Sequence, residues 1–125
     1  LQGNASDNVL TGGAGNDSIL GAFGNDSLAG QDGDVILVGG AGNDVFTIVD
    51  GGPQTDVISD FAAGAAISDV VRLLGFGAAL DTFGEVIAAS SQVGADTIIN
   101  LGGGQTLVLS NVTLGTLNAN DFTFI

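Results

Sequence analysis

Residues Gly12–Phe46 read GGAGNDSILGAFGNDSLAGQDGDVILVGGAGNDVF, and the same phrase returns every nine residues. Gly3, Gly12, Gly21, Gly30 and Gly39 open successive units. Glycine holds the fourth place at Gly15, Gly24, Gly33 and Gly42, and an acid the sixth at Asp17, Asp26 and Asp44. The eighth place is large and apolar throughout: Leu10, Ile19, Leu28, Leu37, Phe46. The unit opened by Gly30 instead carries an apolar residue, Val35, in the sixth place.

Glycine, asparagine and aspartate tolerate turn conformations, so the first six residues of a unit predict a turn. The last three predict a short strand. Neighbouring strand residues point to opposite faces, so the eighth residue turns inward and the seventh and ninth turn out. One unit cannot bury its apolar residue alone, whereas stacked units can. Two units then complete a coil, and loops two units apart stack in register. The expected fold is all-β: a parallel β-roll, a nonapeptide-repeat solenoid.

The register loosens after Phe46. Gly51–Ile58 resumes it after three inserted residues, and then the chain changes character. Asp69–Leu74 predicts a strand, and Thr82-Phe83-Gly84-Glu85 predicts a capping box opening a short helix to about Ser91. Asp96–Leu101 and Gln105–Ser110 predict a hairpin across Gly102-Gly103-Gly104, and Asp121–Ile125 a last strand. Residues 1–59 are thus expected to form the roll, and 60–125 a β-rich C-terminal cap with one short helix. A cap is needed because an open solenoid end exposes core and strand edges.

Composition restricts the partners. The chain has 14 acids against a single base, Arg72, for a formal charge of -13, yet 45% of its residues are hydrophobic. Nucleic acid is excluded on charge sign, and an anionic membrane surface is disfavoured for the same reason. No apolar run approaches the roughly 20 residues of a membrane span. With no cysteine, a small domain needs another staple, and clustered carboxylates favour divalent cations. The chain starts inside a repeat and without Met, so a fragment or processed product is expected.

The repeats match the nonapeptide G-G-x-G-x-D-x-U-x, where U is a large aliphatic residue. Together with ISDFAAG (58–64), DVVRLLGF (69–76), QVGADTIINL (92–101) and TLNANDFTFI (116–125), they resemble the C-terminal region of RTX, or haemolysin-type, calcium-binding proteins. The resemblance implies an extracellular protein exported by type I secretion machinery through an uncleaved C-terminal signal, to which Asp121–Ile125 is similar. It also implies several Ca2+ ions between stacked loops. One edge would stack loops 3–8, 21–26 and 39–44, with Asn8 or Asp7, Asp26 and Asp44 as ligands. The opposite edge would stack 12–17, 30–35 and 51–56, with Asp17 and Asp56. Backbone oxygens would come from Gly12, Ala14, Gly15, Gly21, Phe23, Gly24, Gly30, Asp32, Gly33, Gly39, Ala41 and Gly42.

Val35 departs from the family pattern. The second edge should bind more weakly or lose an ion, unless Asp34 or Asp32 swings in or backbone carbonyls and water suffice. Val35-Ile36-Leu37-Val38 also puts Ile36 and Val38 on the outer face beside Leu20. Either the cap covers this apolar patch or another molecule does, self-association included. Asp60 and Asp69 are expected to be capping or turn residues, and Arg72 to form an internal ion pair.

Catalysis is not expected. His, Cys, Lys and Tyr are absent, which removes Ser-His-Asp, Cys-His and Schiff-base arrangements from these residues. Glu85, an acid that could serve glycoside hydrolysis, is explained by the helix cap. An enzyme would have to lie in a further N-terminal part of the parent protein. The leading expectation is therefore a calcium-dependent folding and secretion module, and the alternative a self-assembling extracellular structural protein. Polysaccharide binding would want a basic face, and ice binding outward threonine ranks; the outward places hold Val9, Ser18, Ser27, Ile36 and Val45.

Overall fold

The computed structural model describes residues 1–64 and 68–125, and it is a parallel β-solenoid. Six strands follow the repeat: β1 (Val9–Ala14), β2 (Ser18–Phe23), β3 (Ser27–Asp32), β4 (Ile36–Ala41), β5 (Val45–Val49) and β6 (Thr55–Ile58). Odd strands build one sheet and even strands the other, so two units do make one coil. The parallel register aligns Leu10 with Leu28 and Phe46, and Ile19 with Leu37 and Ile58. These eighth-place side chains fill the space between the sheets; all but Leu10 are fully buried. Each contributes about 1.5–3 kcal/mol by leaving water.

The first four strands are six residues long, not three. The first three residues of the following loop stay in the ladder, as in the pairs Gly13 with Gln31 and Phe23 with Ala41. The second place of each loop then turns at positive φ (Gly13 at 103°, Ala22 at 92°, Gln31 at 76°, Gly40 at 98°). The fourth place does so again, at Gly15, Gly24, Gly33 and Gly42. Glycine reaches that region without a steric penalty, which explains the fourth-place rule.

The C-terminal half extends both sheets sideways. β7 (Val70–Leu74) pairs with β5, and the last strand, β11 (Phe122–Phe124), pairs with β7. On the other sheet β10 (Gln105–Leu109) pairs in parallel with β6. β9 (Asp96–Gly102) forms the expected hairpin with β10, and β8 (Ser90–Val93) adds an antiparallel edge. One hydrophobic core runs through both halves, from Ile19 to Phe122. Helix α1 (Phe83–Ala88) opens with the expected capping box: Glu85 N donates to Thr82 Oγ1 and Thr82 N to Glu85 Oε2. It ends before Ser91, because Ser90 already pairs with Ile99.

Two expectations change. The cap does not fold across the outer face: Leu20 and Ile36 stay 36% and 48% exposed. The unpaired backbone of β5 and β6 offered the cap strands hydrogen bonds, which an outer face does not. Arg72 lies in register between Thr47 and Thr123. Its Nε is buried and unpartnered among the described residues, so that atom makes no bond to an acid of the cap.

Candidate metal centre

The loops are held by two ladders of side chain to backbone hydrogen bonds that run in opposite directions. In the sixth place, the carboxylates of Asp26, Asp44 and Asp56 accept from the sixth-place N–H one layer back. Asn8 N donates to Asp26 Oδ1 (2.7 Å), and Asp26 N to Asp44 Oδ1 (2.8 Å). In the fifth place, each side chain accepts from one layer forward. Asn25 N donates to Asp7 Oδ1 (2.7 Å), Asn43 N to Asn25 Oδ1 (2.8 Å), and Asp34 N to Asn16 Oδ1 (3.0 Å). The Asn25-Asp26 pair is thus a two-way rivet between layers.

The second oxygens of the sixth-place aspartates are different. Asp17, Asp26 and Asp44 each hold a buried Oδ2 with no hydrogen-bond partner among the described residues. Each Oδ2 sits over the opening glycine of its own loop. A β-carbon at Gly12 would stand 2.5 Å from Asp17 Oδ2; at Gly21 and Gly39 it would collide with Asp26 and Asp44. First-place glycine is therefore required by close approach of a carboxylate, not by φ.

Buried anionic oxygens without donors are costly unless a cation meets them. Asp44 registers that cost. Burial, resisted by the Asp26 N–H and reinforced by the charges of Asp69, Asp26 and Asp60, pushes its carboxyl up to about 6 from 3.8. Burial likewise raises Asp69 and Asp56. Hard oxygen donors lined with carbonyls suit calcium, which takes 6–8 oxygens in loose geometry. The carbonyls of Asp32 and Ala41 already bridge layers, accepting from Gly15 N and Gly24 N.

The structure sorts the residues expected to bind metal. Asp26 and Asp44, with Asn8 below them, form one stacked edge, and Asp17 faces the other edge. Asp7 is a fifth-place rivet. Asp34 is another, with its Oδ1 accepting from Thr55 N at 2.7 Å, so it does not swing into the place of Val35. Asp32 is exposed beside Gly51. Asp56 Oδ1 accepts from Val35 N and its Oδ2 from the Gln54 amide.

The aspartates of the cap do more than turn the chain. Asp69 continues the sixth-place ladder, accepting from Asp44 N (2.9 Å) and from Ala62 N. Asp60 accepts from both Gly39 N and Gly40 N. A signal for Asp69 was present in the sequence: Asp69-Val70-Val71 repeats the acid-x-apolar triplet Asp44-Val45-Phe46, and Phe46 and Val71 pair. It comes 25 residues after Asp44 rather than 18, which hides it from a nine-residue count.

Comparison with known proteins agrees with this geometry. The model of the RTX calcium-binding nonapeptide repeat (4 copies) matches residues 1–28 and 20–47. The endo-1,3-1,4-β-glycanase EglC of Rhizobium meliloti (strain 1021) is 38% identical over 71 residues, which is 57% of this chain and 14% of that protein. The extracellular lipase LipA of Serratia marcescens shares the fold at a TM-score of 0.58 and 20% identity, over 98% of this chain and 20% of the lipase chain. The chain therefore spans only a small part of either protein's length. With buried Oδ2 atoms that have no partner among the described residues standing at the sixth place of matched units, the chain carries RTX calcium-binding nonapeptide repeats over residues 1–47.

Proposed function

We propose that the chain is a calcium-dependent folding and secretion module of an exported RTX protein, itself without catalytic activity. The observation that supports it most is the set of buried Oδ2 atoms of Asp17, Asp26 and Asp44, which have no donor among the described residues. These carboxylates, with the loop carbonyls beside them, would hold several calcium ions. Bound there, the ion supplies the positive charge that the protein withholds. The glycines keep the carboxylates close to the backbone, and the fifth-place side chains hold the layers in register.

Without a cation the stacked carboxylates repel, and the coil loses stability. Cytosolic calcium is low, so the chain would remain loose and fit for type I export. Extracellular calcium would then convert binding free energy into folding free energy. Circular dichroism during a calcium titration tests this. A disorder-to-order transition is expected with a midpoint of about 10⁻⁴–10⁻³ M. Full β-structure in excess chelator would refute it. Deleting Asp121–Ile125 and measuring export through a type I exporter tests the secretion half separately.

A second reading, self-assembly outside the cell, draws support from the outer face of the even-strand sheet. Leu20 and Ile36 are exposed there, with Val38 half-buried beside them. Light scattering on Ile36→Ser against the parent chain in calcium separates the two readings.

A further inference from the structure

The two edges of the coil differ chemically. On the first edge, Asp26 and Asp44 present buried oxygens that no donor among the described residues meets. On the second, the stacked loops 30–35 and 51–56 each depart from the repeat beside Asp56, which accepts from Val35 N and from the Gln54 amide. Val35 replaces the sixth-place acid and Gln54 the fourth-place glycine. Val35 is buried, and its methyl groups fill the space over Gly30, where a β-carbon would stand 2.7 Å from both.

Gln54 is 7% exposed, and every polar atom of its amide is engaged. Nε2 donates to Gln31 O (3.2 Å) and to Asp56 Oδ2 (3.4 Å), while Oε1 accepts from Gly33 N (3.1 Å). The two acceptors are a loop carbonyl and a sixth-place carboxylate, the same pair of oxygen types that the first edge leaves for a cation. The next layer repeats the device. Gln105 precedes the Thr106–Thr55 pair and so lies level with Gln54; it accepts from Gly51 N and donates to Val49 O.

We propose that Gln54, together with Val35, closes this corner as a cation-free clasp. The amide NH₂ delivers partial positive charge to Asp56 and to the Gln31 carbonyl, as calcium would at the first edge. The two cannot share the gap, because the donor hydrogens point at the oxygens a cation would need. Val35 removes the second carboxylate that would have recruited the ion, so each substitution makes the other tolerable. Calcium loading is then lopsided: the first edge and Asp17 take ions, and the gap between loops 30–35 and 51–56 takes none. This rests on the calcium reading of the first edge.

The test counts and places ions in the whole 125-residue chain. Native mass spectrometry with calcium compares the parent, Asp26→Asn and the double variant Val35→Asp/Gln54→Gly, which restores the repeat. The double variant should bind one ion more than the parent, and Asp26→Asn fewer. Anomalous diffraction from parent crystals grown with calcium should place no ion between Asp56 and the Gln31 carbonyl. An ion there, or a folded double variant with an unchanged count, overturns the clasp. Should the double variant fail to fold, the diffraction result on the parent decides alone. A parent chain that binds no calcium at all overturns the first-edge reading, and the clasp falls with it by a different signature.

Discussion

Replacing Asp44 by asparagine should stabilise the chain without calcium and weaken it with calcium. The amide keeps the shape that fits over Gly39 and retains an oxygen for the Asp26 N–H, now 2.8 Å from Oδ1. It removes a charge that burial and the carboxylates of Asp69, Asp26 and Asp60 oppose. The group titrates at about 6 against an ordinary 3.8. At about 1.4 kcal/mol per pH unit, that difference sets a ceiling of about 3 kcal/mol. Solvent screening at a loop edge reduces the gain to about 1–2 kcal/mol. With calcium at ten to a hundred times a dissociation constant, one ion contributes about 1.4–2.7 kcal/mol, and Asp44→Asn should forfeit most of that. Urea unfolding followed by circular dichroism, in chelator and in calcium, reads both signs. Sucrose in all samples supports a folded baseline in chelator by strengthening apolar burial in parent and variant alike. Destabilisation by a similar amount in both conditions would refute the reasoning, since it would make Asp44 a structural acceptor and not a cation ligand.

Other outcomes follow from the same geometry. Gly21→Ala should cost about 1–3 kcal/mol or more with calcium present, because the new β-carbon meets Asp26 Oδ2 and the Gly39 carbonyl, neither of which can retreat; thermal melts check it. Ala22→Gly should stabilise by about 0.5–1 kcal/mol in the same melts, since Ala22 holds φ at 92° against a left-handed penalty that exceeds the extra entropy of glycine. In the calcium-free chain, folded Asp44 keeps a proton that the unfolded chain has released between pH 3.8 and about 6. Its contribution is therefore full below 3.8 and lost as pH rises through about 6. Calcium competes with that proton, so the calcium midpoint should fall as pH rises over the same window, as titrations at either end of it will show. Thr82→Ala should cost about 1 kcal/mol by removing the cap of α1, read as a lower urea midpoint in calcium with the calcium-titration midpoint little changed.

The nine-residue step of glycine, aspartate and aliphatic residues was enough to specify the coil, its two sheets and the inward rank from Leu10 to Phe46. Each of those features depends on local turn preference and strand alternation, which repeat with the sequence. The hairpin after Asp96 and the cap at Thr82 were legible for the same reason. What lay beyond the sequence was everything decided between layers. Asp69 joins the aspartate ladder only because β7 docks beside β5, after an insertion that no period survives. The cap widens the sheets rather than covering Ile36 because open strand edges demand hydrogen bonds. Val35 reads as a missing ligand until Gln54 is found meeting Asp56, the carboxylate that also accepts from Val35 N. That meeting depends on how three inserted residues are absorbed between stacked loops, and only the packed coil determines it.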